Sequence, residues 1–170
     1  MTRLNDVRIL MYSHDTFGLG HLRRSRALAT ALTQGDPHAS AIILTGSPVA
    51  GRFTFPERVD HIRLPGVTKL PDGSYISQTL GLDIDETTAL RAGLIQSAIE
   101  GYEPDLLIVD KEPTGFRGEL LPTLEYLRRQ GRTRTVLGLR DVLDEPEVLA
   151  AEWDRKNALV AAETLYDEIW

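Results

Sequence analysis

Short β-branched or apolar runs alternate along this chain with longer stretches whose apolar residues recur at helical spacing. Residues 8–13 read as a strand, and 20–34 follow as a helix with Leu22, Leu28, Ala29 and Leu32 on one stripe. Residues 41–45 predict a second strand, closed by Gly46-Ser47-Pro48, and 59–64 a third, closed by Pro65-Gly66. Residues 84–102 predict a helix with Leu94, Ile95, Ala98, Ile99 and Tyr102 on one face. Asp83 is placed to cap that helix, and Glu86, three residues on, to complete a capping box. Residues 106–109 form an unbroken apolar run between two aspartates, which suits a strand buried on both faces. A helix from about Gly118 carries the stripe Leu120, Leu124, Leu127 and stops at Gly131. Residues 135–139 make a fifth strand, Pro146 marks the first turn of another helix, and one more helix covers 155–165. Residues 167–170 open a sixth strand.

This alternation predicts an α/β domain: a Rossmann-like, doubly wound parallel sheet with right-handed crossovers, in one domain over residues 1–170. Residues 65–82 break the rhythm. They are polar, include Pro71-Asp72-Gly73 and show no periodicity, so they read either as a ligand-contacting loop or as a plain surface loop.

Composition narrows the class. With 42% hydrophobic and 26% charged residues the chain is an ordinary globular protein. No apolar run approaches the roughly 20 residues of a membrane span, and the start lacks a signal-peptide core. The absence of cysteine removes disulfides, thiolate metal sites and thiol nucleophiles, and a cytoplasmic location is the default. A net charge of −6 argues against nucleic-acid binding. Charge is nevertheless polarised. Residues 1–35 hold five arginines against Asp6 and Asp15, whereas 141–170 hold nine acids against Arg155 and Lys156. An anionic ligand is therefore expected near the start of the chain.

In an open parallel sheet, ligands bind beyond the carboxyl ends of the strands, where strand order reverses. With the order 3-2-1-4-5, the loops after the first, fourth and fifth strands line one crevice. They carry His14, Gly18, Gly20 and His21, then Asp110, Lys111 and Glu112, then Arg140 and Asp141. Gly18 and Gly20 allow a sharp turn and close approach of a ligand to the following helix start. Arg23 and Arg24 carry the wrong sign for that end of a helix, which points either to a bound anion or to a nearby carboxylate such as Asp15. The dinucleotide fingerprint fails because Arg23 stands where its third glycine would be, and no P-loop occurs. His14-Asp15 ends a strand, so no metal is assigned to it. His21 admits two roles, a neutral general base or a side chain that only packs on the loop.

These residues carry a family likeness. The run Tyr12-Ser13-His14-Asp15-Thr16-Phe17-Gly18-Leu19-Gly20-His21-Leu22-Arg23-Arg24 resembles the opening of a bacterial group of predicted glycosyltransferases of the GT-B fold. Asp110-Lys111-Glu112-Pro113, Gly138-Leu139-Arg140-Asp141 and Asp144-Glu145-Pro146 resemble that group's later blocks. More distantly the first loop is similar to that of the N-acetylglucosaminyltransferase that makes lipid II. It matches the G-G-T-G-G-H pattern only at Gly20 and His21, and Arg24 stands in place of a proline. The resemblance implies two Rossmann-like domains facing across a cleft. The N-terminal one holds the acceptor and the C-terminal one a nucleotide-sugar donor, with no cofactor and no catalytic metal. His21 would be the base or would orient the acceptor. Arg23 and Arg24 would meet anionic parts of acceptor or donor. His14, Gly18, Gly20, Asp110, Lys111, Glu112, Arg140 and Asp141 would line the crevice. This chain corresponds to the acceptor half only. A C-terminal domain or a partner subunit is then expected to bring the donor, a hydroxyl compound is the expected acceptor, and peripheral membrane association is compatible with this picture. Residues such as Ile169 and Trp170 are expected to be exposed. Two other readings stay open: half of a nucleotide-sugar epimerase, and a non-catalytic α/β interaction module.

Overall fold

The computed structural model describes residues 6–14, 19–139 and 158–170. In chain order its elements are β1 (Val7–Ser13), α1 (Gly20–Gly35), β2 (Ala39–Thr45), β3 (Val59–Arg63), β4 (Val67–Lys69), β5 (Tyr75–Ser77), α2 (Ile84–Tyr102), β6 (Leu106–Asp110), α3 (Leu121–Gln130), β7 (Arg134–Gly138), α4 (Ala158–Leu165) and β8 (Glu168–Ile169). Six strands form one sheet in the order β3-β2-β1-β6-β7-β8, parallel throughout. The expected doubly wound architecture is therefore present, with the reversal of strand order between β1 and β6. The helix expected at Pro146 and the start of the one at 155–165 lie outside the described residues.

Period-two alternation sorts the core into two layers. On one face Ile9, Met11, Ala41, Ile43, Ile108 and Val136 pack with Leu22 and Ala29 of α1. On the other, Leu10, Tyr12, Leu107, Val109 and Leu137 pack with Ile95 and Ile99 of α2, Leu124 and Leu127 of α3, and Ala162 of α4. The capping box of α2 forms as its sequence predicts: Asp83 accepts from the Glu86 N–H, and Glu86 accepts from the Asp83 N–H. Gly131 ends α3 in the left-handed region at φ 64°.

Two expectations change. The stretch 65–82 is not a featureless loop, because β4 and β5 pair antiparallel around Pro71-Asp72-Gly73. There Asp72 accepts from the backbone and hydroxyl of Ser74, and Gly73 takes the positive φ of 85° that the turn requires. The inward stripe of α2 is Thr87, Arg91, Ile95 and Ile99, and Leu94 is turned outward. The helix is rotated because it delivers a guanidinium, rather than a leucine, to the interior.

That guanidinium is the centre of a buried brace. Arg91 donates Nε to Glu119 Oε2 and Nη2 to Glu119 Oε1, both at 2.6 Å, and Nη1 to the Pro65 carbonyl at 2.7 Å. Tyr12 donates its hydroxyl to Glu119 Oε1 at 2.7 Å and accepts the Phe116 N–H at 2.9 Å. The Arg91 guanidinium also lies 5.6 Å from the Phe116 ring centre, and that ring meets Tyr75 of the hairpin edge-on. The two charged side chains are 4% and 0% exposed, so nearly every lone pair and proton must be matched internally, and the bidentate fork does so. Burial, reinforced by the Glu119 charge, pushes the Tyr12 phenol well above its ordinary range and keeps it a donor. Burial alone would lower Arg91, but the Glu119 and Tyr12 contacts outweigh it and hold the guanidinium charged.

A smaller tie closes the far edge. Asp167 accepts from the Thr135 N–H at 2.8 Å and from Arg128 at 2.9 Å, joining the approach to β8 to β7 and α3. The Thr135 N–H, helped by Arg128, holds its carboxyl below the usual aspartate range. Ile169 and Trp170 on this edge are 52% and 53% exposed.

Two unfolding experiments check these assignments. In urea, Glu119→Gln is expected to cost about 3–5 kcal/mol, because it leaves Arg91 buried and unpaired. Replacing both Arg91 and Glu119 by methionine should cost less than that single change; equal losses would mean the charges are not desolvated. Stability owed to Asp167 is present above the ordinary aspartate value and is lost as pH falls through the lowered one. Asp167→Asn should therefore flatten the loss of stability below about pH 4.

Candidate functional site

The carboxyl ends of β1 and β6 and the start of α1 bring His14, His21, Arg24 and Asp110 together. Asp110 follows Ile108 by two residues, so its side chain points to the α1 face, and it pairs in register with Gly138. The first turn of α1 sits over this corner. His21 and Arg24 are three residues apart and share a helix face, and both reach Asp110. His21 Nδ1 is 2.5 Å from Asp110 Oδ2, and Arg24 Nη1 is 3.1 Å from Oδ1. Arg24 Nη2 donates onward to the Leu139 carbonyl at 2.9 Å.

The chemistry follows from the donor inventory. An ionised carboxylate only accepts, so Nδ1 of His21 is the donor in this contact, and in the neutral ring Nε2 keeps its lone pair. Among the described residues Nε2 makes no hydrogen bond. The imidazole and the carboxylate are largely buried, 12% and 7% exposed. This is the arrangement of a base whose second nitrogen is oriented by an acid. His14, just past β1, presents its ring edge-on to His21 with centroids 6.0 Å apart.

The remaining predicted residues fall in distinct places. Arg24 is committed to Asp110 and the Leu139 carbonyl, so the carboxylate that offsets its position at a helix start is Asp110. Arg23 is exposed and has no ion-pair partner among the described residues. Gly20 begins α1 with open space around it, and the helix has neither a side-chain cap nor an acid in its first turn. Lys111 leaves β6 in the left-handed region at φ 69°, donating its N–H to the Gly138 carbonyl. Glu112 is buried, 8% exposed. Gly18, Arg140 and Asp141 lie outside the described residues.

Sequence reasoning missed the support beneath this corner. Tyr12, Arg91 and Glu119 fix the segment from Lys111 to Leu120, which departs from Asp110. A signal was present: Arg91 falls on a four-residue stripe with Thr87, Ile95 and Ile99, where a charge needs a buried partner. The segment is unusually constrained, with Lys111, Gly115, Arg117 and Gly118 all at positive φ. Gly115 combines φ 69° with ψ −167°, a region open essentially to glycine, and an added Cβ would stand 2.7 Å from Leu120 Cγ.

Two substitutions test that strain by thermal or urea unfolding. Gly115→Ala should cost about 1–3 kcal/mol. Lys111→Gly should raise stability by about 1 kcal/mol, because glycine carries no penalty at that φ. A neutral result for both would show that the segment relaxes freely.

No protein-family model matches this chain, and no curated protein matches it by sequence. Solved structures do match in fold. A Listeria monocytogenes protein provisionally assigned as a UDP-N-acetylglucosamine 2-epimerase aligns with TM-score 0.57 and 13% identity, over 97% of this chain and 38% of its own. A Polygonum tinctorium UDP-glucosyltransferase capable of glucosylating indoxyl, in complex with 3,4-dichloroaniline, aligns with TM-score 0.51 and 18% identity, over 83% of this chain and 31% of its own. The chain thus spans about a third of the length of each. At these identities the likeness establishes the fold: a Rossmann-like α/β domain of the kind found in glycosyltransferases and in an epimerase.

Proposed function

We propose that this chain is the acceptor-binding half of a GT-B glycosyltransferase that moves a sugar from a nucleotide-sugar donor to an acceptor hydroxyl. The observation that carries the reading is the 2.5 Å contact between His21 Nδ1 and Asp110 Oδ2 at the strand-order reversal. As the acceptor oxygen attacks the anomeric carbon, His21 Nε2 takes the hydroxyl proton. The bond from that carbon to the diphosphate oxygen breaks, and the nucleoside diphosphate leaves with the electron pair. Asp110 stabilises the imidazolium that forms. Arg23, exposed at the start of α1, and Lys111, at the end of β6, are the cations this reading assigns to anionic parts of acceptor or donor. The donor would be held by a second domain or a partner subunit. The structure neighbours named for UDP-sugar chemistry support this class of donor.

An epimerase half is the second reading, favoured by the TM-score of 0.57 in the Listeria alignment against 0.51 for the glucosyltransferase. Incubation with UDP-N-acetylglucosamine separates the two, since an epimerase needs no acceptor.

On this reading the chain alone should show no sugar transfer and no micromolar binding of UDP-, GDP- or dTDP-sugars by calorimetry. Tight binding of any of them would overturn the assignment of the donor to another domain. In an enzyme complete with its donor half, His21→Ala should lower turnover by about 10²–10⁴-fold with little change in KM. His38, exposed beside Asp6, and His61, stacked on Phe55, serve as controls whose replacement should matter little. Full turnover in His21→Ala would overturn the proposal.

A further inference from the structure

Arg24 is half-buried at the start of α1, and its two bonds to protein acceptors suggest a task other than holding an anion. One arm of its guanidinium meets Asp110 Oδ1 at 3.1 Å and the other the Leu139 carbonyl at 2.9 Å, so it bridges the ends of β6 and β7. The bridge passes over Gly138, where a Cβ would stand 3.5 Å from Nη2, so the branches of a larger side chain would compete for the space of the guanidinium. Gly138 is also the residue paired in register with Asp110. With Oδ1 held by Arg24, the planar carboxylate has its rotation fixed, and Oδ2 is directed at His21 Nδ1. A lone carboxylate at a strand end would rotate about its last bond and present either oxygen.

We propose that Arg24 is a positioning residue: its planar fork locks the Asp110 carboxylate, and through it the tautomer and orientation of the His21 ring. The proposal draws its functional meaning from His21 as the proton acceptor, but it concerns the ring itself. It can therefore fail while that assignment stands. The charged or titratable groups around the ring are Asp110 from β6, Arg24 from α1 and His14 from the end of β1. Arg is better suited to this role than Lys, because its donors are fixed in a rigid planar fork whereas an ammonium is a rotatable point charge on a flexible stem.

The test is 15N NMR of the histidine ring nitrogens in this chain, at a pH where His21 is neutral. The parent should show His21 in one dominant form, protonated at Nδ1. Arg24→Met should shift both ring-nitrogen signals of His21 toward the average of a mixed tautomer population. Arg24→Lys should give an intermediate shift. Signals of His38 and His61 should stay where they are, and Arg23→Met should leave the His21 ring signals in place. If Arg24→Met fails to fold, Arg24→Gln, which keeps a polar head without the fork, takes its place with the same expected shift. His21 signals unchanged in the neutral variant overturn the proposal, as does a Lys variant indistinguishable from the parent. If the tautomer scrambles in Arg24→Met while turnover of the complete enzyme is unaffected, the base assignment fails and the positioning role survives.

Discussion

The reversal of strand order between β1 and β6 is the constraint from which the site follows. Chain leaving β1 turns to one face of the sheet as α1, while chain leaving β6 turns to the other face toward α3. In open parallel sheets such a reversal is where ligand crevices form, at the carboxyl edge. Asp110 stands at that seam on the α1 face and meets the first turn of α1. The connection after β6 must then depart sharply from a residue whose carboxylate is held in place. It does so through Lys111 in a left-handed conformation and a segment anchored by Glu119.

The buried Arg91–Glu119 pair explains how that segment is fixed. An ion pair in the interior is poor evidence for stability, since well-packed apolar residues of the same size often do as well. What it supplies is direction. Its hydrogen bonds reach Pro65 ahead of the hairpin, Tyr12 in β1 and, through the Tyr12 hydroxyl, the backbone of Phe116. Hydrogen bonds are directional where apolar contacts are not, and this network places donors and acceptors from four segments against one another. The hairpin and the β6–α3 connection are thereby tied to the strand whose end carries His14.

Much of the architecture was legible in the sequence because it rests on periodicity. The six strands, α2 with its Asp83–Glu86 box, and the end of α3 at Gly131 follow from apolar spacing and local hydrogen-bonding chemistry. The β4–β5 hairpin was hidden because its strands are three residues each and only half-buried, so no alternation accumulates. The outward turn of Leu94 was hidden because a guanidinium took the inward place. At the site, the residues were visible but their pairing was not. Asp110 lies 89 positions from His21, and only the sheet register brings them together. Arg24 was legible as a cation at the wrong end of a helix, and the carboxylate offsetting it belongs to a strand rather than to the adjacent loop.

The proposed role of His21, taking the acceptor proton with Asp110 behind it, is open to chemical rescue. In a complete enzyme carrying His21→Gly, added imidazole should enter the space left by the ring and restore sugar transfer in a saturable way. The same addition should do nothing for Asp110→Asn, whose ring is still present. Failure of imidazole to restore any transfer in a folded, donor-binding His21→Gly enzyme would contradict the claim, as would a His21→Gly enzyme that needs no rescue.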